Sequence, residues 1–198
     1  MFIQILQAHC TRQAELHQVI EEASAGLADR AGWLGGTFGF TGDDRFVGVV
    51  RFESEEACRE LTGTENAKLW LERAQKLCDE PVQVHESADV TMMLEGGSDR
   101  AGFVQVMRGR VADAEKLRHL VSDEMASMLH QARPEIVGAT LAVEPDGSFT
   151  ETIAFTDEKS ARMGEQQEMP DEVRAEIDSA MADVEFLDLQ QPWFASHR

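Results

Sequence analysis

The sequence predicts an α+β chain in which one β-α-β-β-α-β unit is written twice. Three observations predict it: a repeat spanning about half of the 198 residues, short β-branched runs alternating with amphipathic stretches, and matching turn and helix-start residues in both copies. Phe2-Ile3-Gln4-Ile5-Leu6 returns as Phe103-Val104-Gln105-Val106-Met107, an offset of 101. Leu16, Val19 and Ile20 return as Leu117, Leu120 and Val121. After a net gain of two residues, Gly35, Thr37, Asp43, Phe46, Phe52, Glu55 and Arg59 match Gly138, Thr140, Asp146, Phe149, Phe155, Glu158 and Arg162 at an offset of 103. Beyond Arg59 the copies drift apart.

Each element has a local cause. Residues 2–8 are apolar, β-branched and bounded by polar residues, which predicts a strand. From Thr11 to about Arg30, Leu16, Val19, Ile20, Ala23 and Leu27 fall on one helical face, with Gln13, Glu15, Gln18, Glu21 and Glu22 on the other. Residues 36–41 and 45–52 read as two strands joined at Thr41-Gly42-Asp43-Asp44, and Glu144-Pro145-Asp146-Gly147 repeats the turn. Ser54-Glu55-Glu56-Ala57 is a helix start, a capping serine followed by carboxylates that suit the helix dipole; Asp157-Glu158-Lys159-Ser160 repeats it. The helical pattern breaks near Thr62-Gly63-Thr64 and resumes with Ala67, Trp70, Ala74 and Leu77 on one face. Pro81 ends it, and Val82 to Glu86 makes a last strand.

This is the ferredoxin-like order, twice. Repeat 1 is assigned to residues 1–95 and repeat 2 to 102–198. The linker is 96–101, within the polar, glycine-containing stretch Glu95-Gly96-Gly97-Ser98-Asp99-Arg100. A sheet with both helices on one face leaves its other face bare and apolar. Two copies in one chain meet that need internally, so the expected architecture is an intramolecular dimeric α+β barrel with helices outside. The expected assembly is a monomer acting as a pseudo-dimer, with higher oligomers left open.

Composition narrows the function. With 18 basic and 37 acidic side chains the formal charge is −19, which repels phosphate backbones and anionic lipid. Neither a nucleic acid nor a membrane is an expected partner, and no stretch approaches the ~20 apolar residues of a membrane span. The start, MFIQILQAHC, lacks the basic and apolar regions of an export signal. Cys10, Cys58 and Cys78 are odd in number and scattered, as expected of reduced thiols in a cytoplasmic protein.

Phe2-Ile3-Gln4-Ile5 on the first strand, Arg51-Phe52-Glu53-Ser54-Glu55-Glu56-Ala57 at the strand-helix junction, and Asn66-Ala67-Lys68-Leu69-Trp70 on the later helical turn carry a resemblance. They resemble the dimeric α+β barrel superfamily and, within it, the antibiotic-biosynthesis-monooxygenase-like domains. The resemblance implies a hydrophobic cleft between sheet and helices. It also implies an activity among those of the family: oxidation of polycyclic aromatics by O₂ without a cofactor in some members, haem degradation in others. The sequence departs from the family where many members carry a histidine after the Ser-x-Glu-Ala junction; Leu61 and Gly164 stand there. The Asn of the haem-degrading members is matched by Leu6 and Met107, and residues 60–80 hold no histidine, which disfavours haem. The chain also has no tyrosine, a common proton donor to phenolic substrates.

Candidate ligand-binding residues are Gln4, Phe40, Arg51, Phe52, Trp70 and His85. Gln4 and Gln105 share a strand face with apolar neighbours, so each amide either orients a ligand or holds related strands together. Trp70 either packs as core or, beside small Ala67 and Ala74, leaves room for a flat ligand. Arg51 either binds an anionic group or pairs with a carboxylate. Trp33, beside Gly32, Gly35 and Gly36, either caps the barrel or lines a pocket mouth. The other histidines lack metal spacing: His119 and His130, on one predicted helix, lie eleven residues apart. His85 is left as the acid-base candidate. Cys58 and Cys78 read as small core residues. No metal and no cofactor is expected, and the expected partner is a small hydrophobic or aromatic ligand. Two functions follow: a cofactor-independent, monooxygenase-like enzyme or binder acting in the cleft, and a non-catalytic barrel whose site has eroded. The second copy has no counterpart of Trp70, so the first half is the better candidate for a pocket.

Overall fold

A computed structural model describes residues 1–94, 96 and 99–197. Of the expected linker, Gly97 and Ser98 lie outside the described residues, as does Glu95 beside it. Repeat 1 runs β1 (Phe2–His9), α1 (Gln13–Leu27), β2 (Trp33–Phe40), β3 (Arg45–Phe52), α2 (Glu55–Thr62), α3 (Glu65–Leu77) and β4 (Gln83–Ser87). β5 (Asp89–Met93) follows. Repeat 2 runs β6 (Phe103–Val111), α4 (Ala114–Leu120), α5 (Asp123–Ala132), β7 (Ile136–Val143), β8 (Ser148–Phe155), α6 (Glu158–Glu165), α7 (Asp171–Ala180) and β9 (Met181–Ser196). The fold class is the predicted one: α+β, with two ferredoxin-like repeats.

Helix starts follow the predicted side chains. Ser54 Oγ accepts from the Ala57 amide at 3.1 Å and Asp157 Oδ1 from the Ser160 amide at 2.8 Å, supplying partners that the first helical turn lacks. The break at Thr62-Gly63-Thr64 separates α2 from α3, and Thr64 caps the new helix through the Ala67 amide. One expectation needs correction. His119 and His130 do not share a helix, because Ser122 caps a fresh start at the Met125 amide and splits α4 from α5. Repeat 1 has Glu21 at the equivalent position, and α1 runs on unbroken.

The chain forms two compact units, Met1–Ala88 with Leu189–Arg198, and Asp89–Asp188. They are not coextensive with the sequence repeats, because each unit takes an edge strand from the other copy. In the first unit the strands neighbour in the order β4-β1-β3-β2 and then the end of β9, where Thr37 pairs with Phe194. In the second the order is the start of β9, then β6-β8-β7-β5, with Thr91 opposite Leu141. The repeated glycines Gly35 and Gly138 make the exchange sterically possible. Both sit at the bulge that opens the second strand of their repeat. A Cβ would collide with the Ala195 carbonyl at Gly35, which is also left-handed (φ 135°), and with the Gly96 carbonyl at Gly138.

Strand register fixes which side chains meet the helices. Phe2 lies opposite Phe52, Gln4 opposite Val50 and Leu6 opposite Gly48, so these residues share one face. That face packs on Leu16, Val19 and Ile20 of α1 and Ala74 of α3. The equivalent face of β6, β7 and β8 packs on Leu117, Val121 and Ala126. Among the described residues no helix is long and apolar enough to cross a membrane.

Candidate functional site

A cavity of about 200 Å³ lies between the sheet of the first unit and the helices α1 and α3. Gln4, Leu6, Val50 and Phe52 form its floor. Val19, Ala23 and Leu27 of α1 and Ala67, Trp70 and Ala74 of α3 form its walls. Leu71 and Val84, 48% and 44% exposed, stand at its outer edge between α3 and the edge strand β4. The lining is almost wholly apolar because the alternation of β1 and β3 turns every second residue inward, and α1 presents its 3.6-residue stripe.

Small residues keep the space open. Gly26 of α1 lies under the Trp70 ring, and a Cβ there would run into the indole carbons. Trp70 is therefore seated against bare helix backbone, partly exposed, with Ala67 and Ala74 on either side along α3.

Gln4 is the polar feature of the floor. Its Nε2 donates to Glu86 Oε1 at 3.0 Å across the β1–β4 pair, where the two residues are directly opposite. Glu86 Oε2 in turn accepts from Arg59 at 3.2 Å. A carboxylate only accepts, so the amide nitrogen is held toward Glu86 and Oε1 has no partner among the described residues. Repeat 2 rebuilds the same chain: Gln105 Nε2 donates to Asp188 Oδ1 at 2.9 Å, and Asp188 is bound by Arg162. Gln105 also reaches Glu165 at 3.3 Å, and is buried where Gln4 is partly accessible.

The predicted residues divide by strand parity. Gln4, Phe52 and Trp70 come together on the cavity. Arg51 and His85 lie opposite Ile3 and Ile5, on the other face of the sheet, and Arg51 donates to Thr37 at 2.9 Å. Phe40 shares the cavity's face but packs beyond it, 5.5 Å from Phe46 and 5.7 Å from Trp193. Trp33 lines the cavity and is almost fully buried. Sequence reasoning missed Glu86 as the partner of Gln4 and Arg59 as the partner of Glu86. The signal was there in part, since Arg59 and Arg162 are identities of the repeat.

Ionisable chemistry on the lining is sparse. Lys68 lies on the outer part of α3, paired with Glu65 at 2.8 Å. Cys78 also lines the cavity, and burial pushes its thiol up to about 12. Burial likewise raises Cys58, behind Gln4, to about 11, so neither is a thiolate near neutral pH. Among the described residues no three His, Cys, Asp or Glu side chains gather as a metal-binding group.

Comparison with known proteins agrees with this fold. No protein-family model matches the chain, and no curated protein matches it in sequence. Among solved structures it is similar to two proteins each named "putative monooxygenase". The one from Lactobacillus acidophilus NCFM is 14% identical with a TM-score of 0.76, over 98% of this chain and 95% of that one. The one from Fusobacterium nucleatum subsp. nucleatum ATCC 25586 is 11% identical with a TM-score of 0.76, over 98% and 94%. An anthrone oxidase-like protein is 12% identical with a TM-score of 0.71, over 98% and 92%. The chain thus shares the fold of these solved structures over nearly its whole length.

Proposed function

We propose that the protein is a monooxygenase-like small-molecule enzyme or binder that holds a compact aromatic compound in the cavity of the first unit. The observation that carries this reading is an apolar cavity of about 200 Å³ with one oriented amide on its floor. A dry apolar cavity of about 150 Å³ is enough to take benzene, so one or two fused rings suit the space. Phe52 and Trp70 supply flat contact surface, and Gln4 Oε1 accepts a hydrogen bond from a ring hydroxyl. The Glu86–Arg59 pair keeps that acceptor turned inward. The anthrone oxidase-like neighbour adds the expectation that the compound is oxidised by O₂.

A second reading, binding without turnover, is favoured by one observation: among the described residues Lys68 and Cys78 are the only ionisable side chains on the lining, and catalysis of proton removal usually needs a poised acid or base. One experiment addresses both. Quenching of tryptophan fluorescence by 1-naphthol reports binding, and dissolved-oxygen consumption in the same sample reports turnover. Saturable quenching with oxygen uptake supports the enzyme, saturable quenching alone supports the binder, and no saturable quenching removes the site.

A further inference from the structure

Glu151 stands in β8 where repeat 1 has Gly48. Register places it on the helix-covered face, directly opposite Met107 of β6 and Leu141 of β7. Its neighbours on the same strand face, Phe149 and Ile153, belong to the cluster under α4 and α5. At Gly48 the first unit has little room for a side chain, since a Cβ would lie 3.0 Å from Phe38 and 3.2 Å from Phe46. The second unit carries Leu141 in place of Phe38, and the smaller residue makes the space that Glu151 enters.

This carboxyl has no hydrogen bond or ion pair among the described residues. The charged groups of the surrounding elements are engaged elsewhere or face solvent. Lys116 of α4 binds Ser179, His119 binds Glu176 of α7, and Arg162 binds Glu158, Glu165 and Asp188. Arg108 of β6 binds Glu144 and Thr150 on the opposite sheet face. Arg118, Asp123, Glu124 and Asp178 are exposed, and Glu185 of β9 is both exposed and partnered. The region around Glu151 is not sealed, however. Met107, Leu120, Ile153 and Val184 all keep accessible surface beneath the helices, as Glu151 itself does. Phe186, two residues beyond Val184 on β9, is 57% exposed.

We propose that this partly accessible apolar region around Glu151 is a ligand site of its own, taking a protonated amine on an apolar body, with the Glu151 carboxylate as counter-ion. An unpaired carboxylate among apolar walls loses its hydration and gains nothing in return, so a ligand cation that supplies the missing partner is selected strongly over a neutral one. The net charge of −19 raises the local concentration of cations. Burial alone pushes the Glu151 carboxyl up to about 7, so near neutrality the proton and the amine compete for it.

Calorimetric titration of the full chain with octylamine and octanol tests the site. At about pH 8 octylamine is expected to bind at least about tenfold more tightly than octanol, and the preference should collapse at about pH 5.5 as the carboxyl is protonated. Glu151→Gln removes the preference at both values while leaving octanol binding unchanged. The variant keeps the shape and strands no partner, and the ¹³C resonance of the Glu151 carboxyl is an independent readout. Octylamine should shift its titration to lower pH. Equal affinity for amine and alcohol at the higher pH, a preference that survives Glu151→Gln, or an unmoved carboxyl titration would overturn the proposal.

Discussion

Gln4 and Glu86 face each other across β1 and β4, with Nε2 and Oε1 3.0 Å apart, and this pair decides what the cavity floor offers a ligand. A free glutamine presents donor and acceptor interchangeably. Held by a carboxylate that is itself bound to Arg59, Gln4 presents an acceptor. Glu86→Ala should therefore leave the cavity volume intact and release the amide to flip. Competition between 1-naphthol and naphthalene should show a hydroxyl preference in the parent chain and a weaker one in the variant.

The two glutamines should differ in their contribution to stability. Gln105 is itself buried and its amide donates to two carboxylates, so Gln105→Ala removes two charge-assisted hydrogen bonds and leaves a void at a buried position, and should cost about 1–3 kcal/mol. Around Gln4 the groups are partly accessible and Arg59 still pairs with Glu86, so Gln4→Ala should cost about 1 kcal/mol or less. Urea melts of the two variants would compare them directly.

Gly26 gives a test whose sign depends on a partner. In an exposed helix interior, Gly→Ala ordinarily stabilises by about 1 kcal/mol. Here the new methyl would meet the Trp70 ring, so Gly26→Ala should instead destabilise, by about 1–3 kcal/mol of overpacking. In a Trp70→Ala background the same change should become stabilising. Thermal melts of the double-mutant cycle report the reversal.

Much of the fold was legible because the repeat exposes its own periodicities: the matched strands, turns and capping residues recur as written. Strand alternation also contained more than residue identity suggests. Gln4 and Phe52 share a face, whereas Arg51 and His85 are one residue out of phase with them, so the pattern that placed the strands could have set Arg51 and His85 apart from Gln4 and Phe52. Other features depend on tertiary structure. The pairing of β5 with β7, and of the end of β9 with β2, follows from which sheet edges lie within reach, and an edge strand of five residues carries little signal of its partner. Glu86 and Asp188 were obscure because the copies diverge beyond Arg59, so the carboxylate changes both length and offset while keeping its task. The break at Ser122 was legible as a capping serine, but the apolar stripe around it favoured a single helix.

Stability should depend on pH through Glu151. Its folded-state carboxyl titrates at about 7 against 4.5 when solvated, because burial disfavours the charged form. Between these values the folded chain holds a proton that the unfolded chain has lost, so stability falls as pH rises through that window and levels off above it. The loss attributable to this group is roughly 3 kcal/mol at most. Glu151→Gln should flatten the dependence, which denaturant melts at intervals between pH 5 and pH 8 would reveal.

The central claim, an aromatic site in the first unit read by Gln4, is tested most directly by isothermal calorimetry of 1-naphthol and naphthalene on the parent chain and on Gln4→Leu. The predicted result is saturable one-to-one binding of both compounds. Naphthol should be favoured by a few-fold to about tenfold in the parent chain, the value of one hydrogen bond. In Gln4→Leu the two compounds should bind equally. Failure of either compound to saturate, or a hydroxyl preference that persists in Gln4→Leu, would contradict the account.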